Sequence, residues 1–145
     1  MGSVAIVDDN KDSLDLFEFM LRDHHEIFTF ADGEEFLKEF RHGSFDLVLL
    51  DLVMFGIDGF EVFNRIQKID KDVPVAAITG RAYQEERERA LQAGFCDYFV
   101  KPIMDIGRFR QTVYSHVGKC ANPPPRAVED QKARYSRTTR SRISE

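Results

Sequence analysis

The 145-residue sequence lacks most of the features that mark secreted, membrane or nucleotide-binding proteins. Its two cysteines, Cys96 and Cys120, fit no metal-binding or redox spacing, which favours a reducing, cytoplasmic setting. No apolar run approaches the ~20 residues of a membrane span, and no signal peptide is visible at Met1. No glycine-rich phosphate-binding motif occurs, so nucleotide binding is disfavoured. His24 and His25 have no Cys or His cluster nearby and are expected at the surface rather than as metal ligands.

Charge is unevenly distributed along the chain. Residues 119–145 carry seven Lys/Arg and three Asp/Glu, a net of +4, so the overall −5 leaves −9 for residues 1–118. An acidic body repels nucleic acid, so we do not expect residues 1–118 to bind it. We therefore predict one domain over 1–118, followed by a basic tail or linker over 119–145 with a candidate short helix at 126–135.

Short apolar segments alternate with longer amphipathic ones along the first 118 residues. The predicted strands are 3–7, 26–30, 47–50, 73–79 and 98–100. Helical spacing of apolar residues predicts helices after Asn10, Asp32 and Asp58, and two more over 83–93 and 105–117. The helix over 83–93 has the weakest apolar face. Five strand–helix alternations with right-handed crossovers predict an α/β fold with a doubly wound parallel sheet.

Polar side chains stand at the carboxyl ends of four predicted strands. Asp8 and Asp9 follow the first, Asp51 the third, Thr79 the fourth and Lys101 the fifth. Carboxyl ends of parallel strands share one edge, where α/β proteins bind ligands. Three close carboxylates would repel one another without a hard cation, and Mg²⁺ prefers such oxygen ligands. Together with the lysine and the hydroxyl, they predict a phosphoryl-transfer site with Asp51 as nucleophile.

Four segments then carry a resemblance to a known family: IVDDN (6–10), LLDLVM with GIDG (49–59), AITG (77–80) and DYFVKP (97–102). In this order they make residues 3–117 resemble the receiver domain of two-component response regulators, of the chemotaxis-regulator type. The resemblance implies a flavodoxin-like, five-stranded parallel sheet of order 2-1-3-4-5 with five helices.

The resemblance also implies roles for the residues at the strand ends. Asp51 would be the phosphoacceptor and Lys101 would contact the phosphoryl group. Mg²⁺ would be held by Asp9, Asp51 and the backbone carbonyl of Val53, with Asp8 acting through water. The protein would accept and lose a phosphoryl group at its own aspartate, so no turnover of an external substrate is expected.

Signal output is implied in the same way. Thr79 and Tyr98 would be the switch pair, and the Lys101–Pro102 peptide bond would be cis, a form largely confined to X-Pro. Phosphorylation by a histidine kinase or a histidine phosphotransfer protein would change the surface of 83–117. That surface is also a candidate for homodimer formation.

The sequence departs from the family at the loop after Asp51. Phe55 stands where the family usually has proline, and we expect its side chain to be exposed as a partner contact. Val53 occupies a position that modulates phosphoryl lifetime in this family. Its apolar side chain cannot orient a hydrolytic water, which predicts slow self-dephosphorylation.

Alternative interpretations remain open at this stage. The chain can be the N-terminal receiver of a larger regulator with a DNA-binding or enzymatic output domain. An aspartyl-phosphate phosphatase is a second class, although Val53 stands where haloacid-dehalogenase-type enzymes need an aspartate. Nucleic-acid binding by the basic tail is a third, and arginine-rich segments of this kind are usually solvated linkers.

Overall fold

Strands and helices alternate strictly along the chain. The computed structural model describes the backbone of residues 2–81 and 83–120 and the side chains of 2–81 and 83–117. The elements are β1 (Gly2–Val7), α1 (Lys11–Leu21), β2 (His25–Phe30), α2 (Gly33–Glu39), β3 (Leu47–Asp51), α3 (Gly59–Ile69), β4 (Val75–Thr79), α4 (Gln84–Ala93), β5 (Asp97–Val100) and α5 (Ile106–Cys120).

All five strands pair in parallel in the order β2-β1-β3-β4-β5. This confirms the predicted doubly wound α/β fold, its strand order and its five helices. The strand order reverses between β1 and β3, and ligand sites of open parallel sheets lie outside the carboxyl ends of strands at such a reversal. The register places Val7 opposite Leu50 and Asp51 opposite Ile78, so these strands end almost level.

The core lies on both faces of the sheet, which explains the unbroken apolar run of β3. Leu47 and Leu49 belong to the cluster that packs against α1 and α5. Val48 and Leu50 belong to the other cluster, which packs against α2 and α3. Every residue of β3 is buried, because helices cover both faces of a parallel sheet.

Polar side chains fix the starts of three helices, as predicted. Asn10, Asp32 and Asp58 accept backbone N–H bonds from the first turns of α1, α2 and α3. In contrast, α4 has no side-chain cap, and Ala90 is its only buried residue among those described. The weak apolar face predicted for this helix is therefore present in the structure.

Gly59 sets the position of α3 against the end of β3. A Cβ at this residue would lie 2.6 Å from both the Asp51 carbonyl oxygen and Leu52 Cα, which are backbone atoms. Real Cβ atoms do not approach that closely, so α3 begins at this distance only because residue 59 is glycine. The Leu52 carbonyl accepts the Gly59 N–H at 3.1 Å and completes this junction.

The structure corrects several details of the sequence prediction. β4 begins at Val75 rather than at 73, and α5 continues to Cys120, two residues into the segment assigned to the tail. His25 is buried rather than at the surface, because β2 begins at this residue and pairs it with Gly2. The candidate helix at 126–135 lies outside the described residues.

Candidate functional site

The carboxyl ends of β1, β3 and β5 bring together three side chains that are far apart in the sequence. Lys101 Nζ donates to Asp8 Oδ2 at 2.9 Å and to Asp51 Oδ2 at 3.2 Å. Both aspartates are almost fully buried, and the lysine side chain is 21% exposed. Unpaired buried carboxylates are very unfavourable, so the lysine is the counter-charge that this pair requires.

Asp51 is held by contacts to both of its carboxylate oxygens. Oδ1 accepts the backbone N–H of Val53 at 3.0 Å, while Oδ2 faces Lys101. The pKa of Asp51 is raised to about 6, chiefly by burial and also by the nearby Asp8 carboxylate, while the Val53 N–H and Lys101 oppose the shift. The ionised form is thus under electrostatic strain, a property common among functional carboxylates.

Asp9 completes an acidic cluster that fits a divalent cation. Asp8, Asp9 and Asp51 place carboxylate oxygens within 4.8 Å of one another. One lysine against three carboxylates leaves two formal negative charges without a counter-charge. Hard oxygen ligands with this excess of negative charge suit Mg²⁺. Asp9 is exposed, and its Oδ2 accepts the backbone N–H of Phe55 at 2.7 Å.

Thr79 and Tyr98, the predicted switch pair, lie on adjacent strands beside this cluster. Thr79 is fully buried, and its Oγ1 accepts the backbone N–H of Arg81 at 3.1 Å. The Tyr98 hydroxyl lies 3.0 Å from the Arg81 carbonyl oxygen and 3.0 Å from Glu86 Oε1. Tyr98 is 5% exposed, and burial together with the Glu86 carboxylate raises the pKa of its hydroxyl to about 12. The ring of Tyr98 is buried, and its hydroxyl contacts the first turn of α4 through Glu86.

Sequence reasoning missed Glu86, because α4 is charged almost throughout and nothing in its pattern singles out one carboxylate. Glu86 is only 15% exposed and also lies 3.4 Å from Arg81 Nη1. One residue of α4 therefore contacts both the tyrosine and the loop that follows Thr79. What distinguishes Glu86 is its low exposure in the folded structure, which the exposed, charged residues around it in the sequence do not reveal.

The rest of the predicted site lies at the same edge of the sheet. The Lys101–Pro102 peptide bond is cis. Val53 is 44% exposed, and its N–H contacts Asp51. The side chain of Phe55 is 95% exposed. Along 2–81 and 83–120, no helix is long and apolar enough to cross a membrane.

A second group of potential metal ligands, His42, Asp70 and Asp72, lies before β3 and β4, at the opposite edge of the sheet. Its buried member, Asp70, accepts the backbone N–H groups of Gly43 and Asp72 at 3.0 Å each. Asp70 therefore joins two loops structurally, and this group is separate from the site at the carboxyl ends.

Comparison with known proteins agrees with this arrangement. The family model described as response regulator receiver domain matches residues 4–114. The transcriptional regulatory protein PrrA of Mycobacterium tuberculosis is 36% identical over 70% of this chain. The response regulator TrrA of Thermotoga maritima, solved in complex with Mg²⁺ and BeF, is 33% identical; the match covers 80% of this chain and 99% of that one, with a TM-score of 0.70.

The receiver domain of the sensor histidine kinase PA1611 of Pseudomonas aeruginosa, solved with magnesium in its active-site cleft, is 28% identical. That match covers 81% of this chain and 98% of the other, with a TM-score of 0.72. The present chain spans only 44% of the length of PrrA. The family model matches most of the described residues, and the fold and the cluster of Asp8, Asp9, Asp51 and Lys101 agree with that match. The chain belongs to the response regulator receiver domains of two-component signal transduction.

Proposed function

We propose that this receiver domain accepts a phosphoryl group on Asp51. A carboxylate oxygen of Asp51 forms a bond to phosphorus while the P–N bond of a phosphohistidine on the donor protein breaks. The donor imidazole keeps the electron pair of that bond. The carrying observation is the position of Lys101 Nζ, 3.2 Å from Asp51 Oδ2, where its charge also reaches the oxygens of an arriving phosphoryl group.

The acidic cluster supports a magnesium requirement. Asp9 and Asp51 would ligate Mg²⁺ together with the backbone carbonyl of Val53, and Asp8 would act through water. When bound, the ion neutralises charge on the phosphoryl oxygens. The chain itself supplies the ligand oxygens, keeps Asp51 buried and holds Lys101 beside it. The magnesium-bound receiver structures among its relatives support the requirement for the ion.

The signal would leave the site through Thr79 and Tyr98. A phosphoryl group adds about −1.5 to −2 charges and new acceptor oxygens. The Thr79 hydroxyl, whose oxygen accepts the Arg81 N–H, can rotate towards these oxygens to donate its proton, and this rotation moves Oγ1 away from the Arg81 N–H. That change frees the loop that also provides the carbonyl contact to Tyr98. The surface of 83–117, including the weakly anchored α4, is then the one whose conformations shift.

The donor is a histidine kinase or a histidine phosphotransfer protein, the partner class with which receiver domains of this kind interact. Phe55, exposed beside Asp9, is our candidate for a contact to that donor. A homodimer through 83–117 and a cytoplasmic location accord with this role. The matching family model and the relative PrrA are of response regulators rather than of enzymes that turn over a substrate, which counts against the phosphatase alternative.

A second candidate role has its own supporting observation. PrrA is more than twice as long as the matched region, and its name identifies it as a transcriptional regulator. We propose that residues 1–118 can act as the N-terminal receiver of such a longer regulator, with 119–145 as a basic linker to an output domain. Reading the gene beyond the codon for Glu145 tests this, since an immediate stop codon contradicts it.

Phosphorylation of intact protein tests the main proposal. With Mg²⁺ and a small acyl-phosphate donor, mass spectrometry should show one added phosphoryl group that hydroxylamine removes. Asp51→Asn should abolish it, and EDTA should prevent it. Asp58→Asn is the matched control, because Asp58 lies in the same loop but caps α3. Full phosphorylation of the Asp51→Asn protein contradicts the assignment.

A further inference from the structure

The backbone N–H of Phe55 binds a side chain of the acidic cluster across a long sequence distance. It donates to Asp9 Oδ2 at 2.7 Å, although the two residues are 46 positions apart. Asp9 lies between β1 and α1, and Phe55 lies between β3 and α3. This hydrogen bond therefore joins the two loops that border the site.

Asp9 has less support than the other two carboxylates of the cluster. Asp8 is buried and held by Lys101 and by the backbone N–H of Asn10, and Asp51 is buried and held at both oxygens. Asp9 is exposed, and the contact with the Phe55 N–H is the hydrogen bond that the structure gives its carboxylate. Hydrogen bonds from N–H groups to carboxylates are short and strong, and this one fixes one oxygen of an exposed side chain.

We infer that Phe55 is a positioning residue for the metal site, acting through its backbone N–H on Asp9. The N–H holds Oδ2 and so leaves Oδ1 of the same carboxylate as the oxygen available to a cation shared with Asp8 and Asp51. Groups that orient a metal ligand in this way typically contribute about 10-fold or more to metal affinity. This inference rests on the proposed magnesium site. Because the family usually has proline at this position, it assigns the N–H donor to the site of this chain and not to the sites of the family in general.

The side chain and the N–H of Phe55 have separable roles. The ring is 95% exposed and cannot stabilise the loop by burial. The N–H belongs to the backbone and is present in every residue type except proline. Replacing Phe55 with alanine thus removes the ring and keeps the donor, whereas replacing it with proline removes both.

The experiment compares Mg²⁺ binding by the wild type, Phe55→Ala and Phe55→Pro with NMR titration of backbone amides. We expect Phe55→Ala to bind Mg²⁺ with the wild-type affinity and Phe55→Pro to bind roughly 10-fold more weakly. In a Phe55→Pro protein that also carries Asp9→Ala, the proline should have no additional effect on affinity. A Phe55→Pro affinity equal to or tighter than that of Phe55→Ala overturns the inference.

Hydrogen exchange of the Phe55 amide in the wild type supplies a second test that needs no proline variant. Protection of this amide should persist or increase when Mg²⁺ is added, because Oδ2 keeps its donor while Oδ1 binds the ion. Loss of protection on Mg²⁺ addition means that the N–H competes with the metal, which overturns the inference. If the wild type binds no Mg²⁺ at all, the proposed function fails instead, so the two failures are distinguishable.

Discussion

Replacing Asp51 with asparagine should stabilise the protein in metal-free buffer at neutral pH. Asp51 is almost fully buried beside Asp8, and one lysine serves both carboxylates. Moving the carboxyl pKa from 3.8 to about 6 corresponds to about 3 kcal/mol at ~1.36 kcal/mol per unit. A carboxyl with a raised folded pKa binds its proton more tightly in the folded state, so the contribution of Asp51 to stability is largest below pH 3.8 and is lost as pH rises through about 6.

Asparagine keeps an oxygen for the Val53 N–H and never ionises, so it avoids this cost. The expected gain in the free energy of unfolding is up to about 3 kcal/mol at pH 7.5, and it should decline towards zero near pH 4. Urea denaturation at both pH values with EDTA measures the gain, with Asp58→Asn as the control of similar chemistry. Adding Mg²⁺ should shrink the gain, because the wild type is the better ligand and is stabilised more by binding. An Asp51→Asn protein that is less stable at pH 7.5, or equally stabilised at both pH values, refutes the reasoning.

Two further predictions concern buried charge. Lys101→Met should lower the free energy of unfolding in EDTA by about 2 to 4 kcal/mol, because Asp8 and Asp51 lose their shared cation. The loss should be clearly smaller in an Asp51→Asn background, where only one carboxylate remains. If the two substitutions instead have additive effects in a double-mutant cycle, Lys101 and Asp51 do not share this contact. Burial lowers the pKa of His25 from 6.5 to about 4, so the unfolded state binds the proton and stability should fall by up to about 3 kcal/mol as pH drops through that range. A His25→Phe protein should have a flatter dependence of stability on pH, and identical slopes for the two proteins would exclude His25 as the cause.

The fold could be predicted from the local pattern of apolar and polar residues, because this pattern reflects which side chains are buried. A strand covered on both faces must be apolar throughout, and the run that ends at Asp51 is such a strand. Short polar residues before amphipathic segments marked three helix starts, since their side chains bind free N–H groups. The ends of helices and strands were less predictable, because the residue at which an element ends depends on tertiary contacts that the local sequence pattern does not contain. The extension of α5 to Cys120 is an example.

The central part of the candidate site was also predictable, and for a topological reason. Once parallel pairing is inferred, the residues that follow the strands must meet at one edge, whatever their distance in the sequence. Asp8, Asp51 and Lys101 meet in this way at 2.9 and 3.2 Å. His25 shows the limit of such reasoning. Its burial depends on pairing with β1 and on α5 packing nearby, and neither is visible in the residues around it.

The contact between Phe55 and Asp9 shows a different limit. Sequence patterns report side chains, and the Phe55 side chain does point outward, with 95% of its surface exposed. What reaches the acidic cluster is the N–H, which nineteen of the twenty residue types share and whose direction is set by the path of the loop. Gly56, with φ at +90°, turns the chain immediately afterwards, in a conformation that favours glycine. For the contact with Asp9, residue 55 needs only a backbone N–H, which every residue except proline has. Phe55→Ala and Phe55→Pro should therefore differ in metal binding, although both remove the ring.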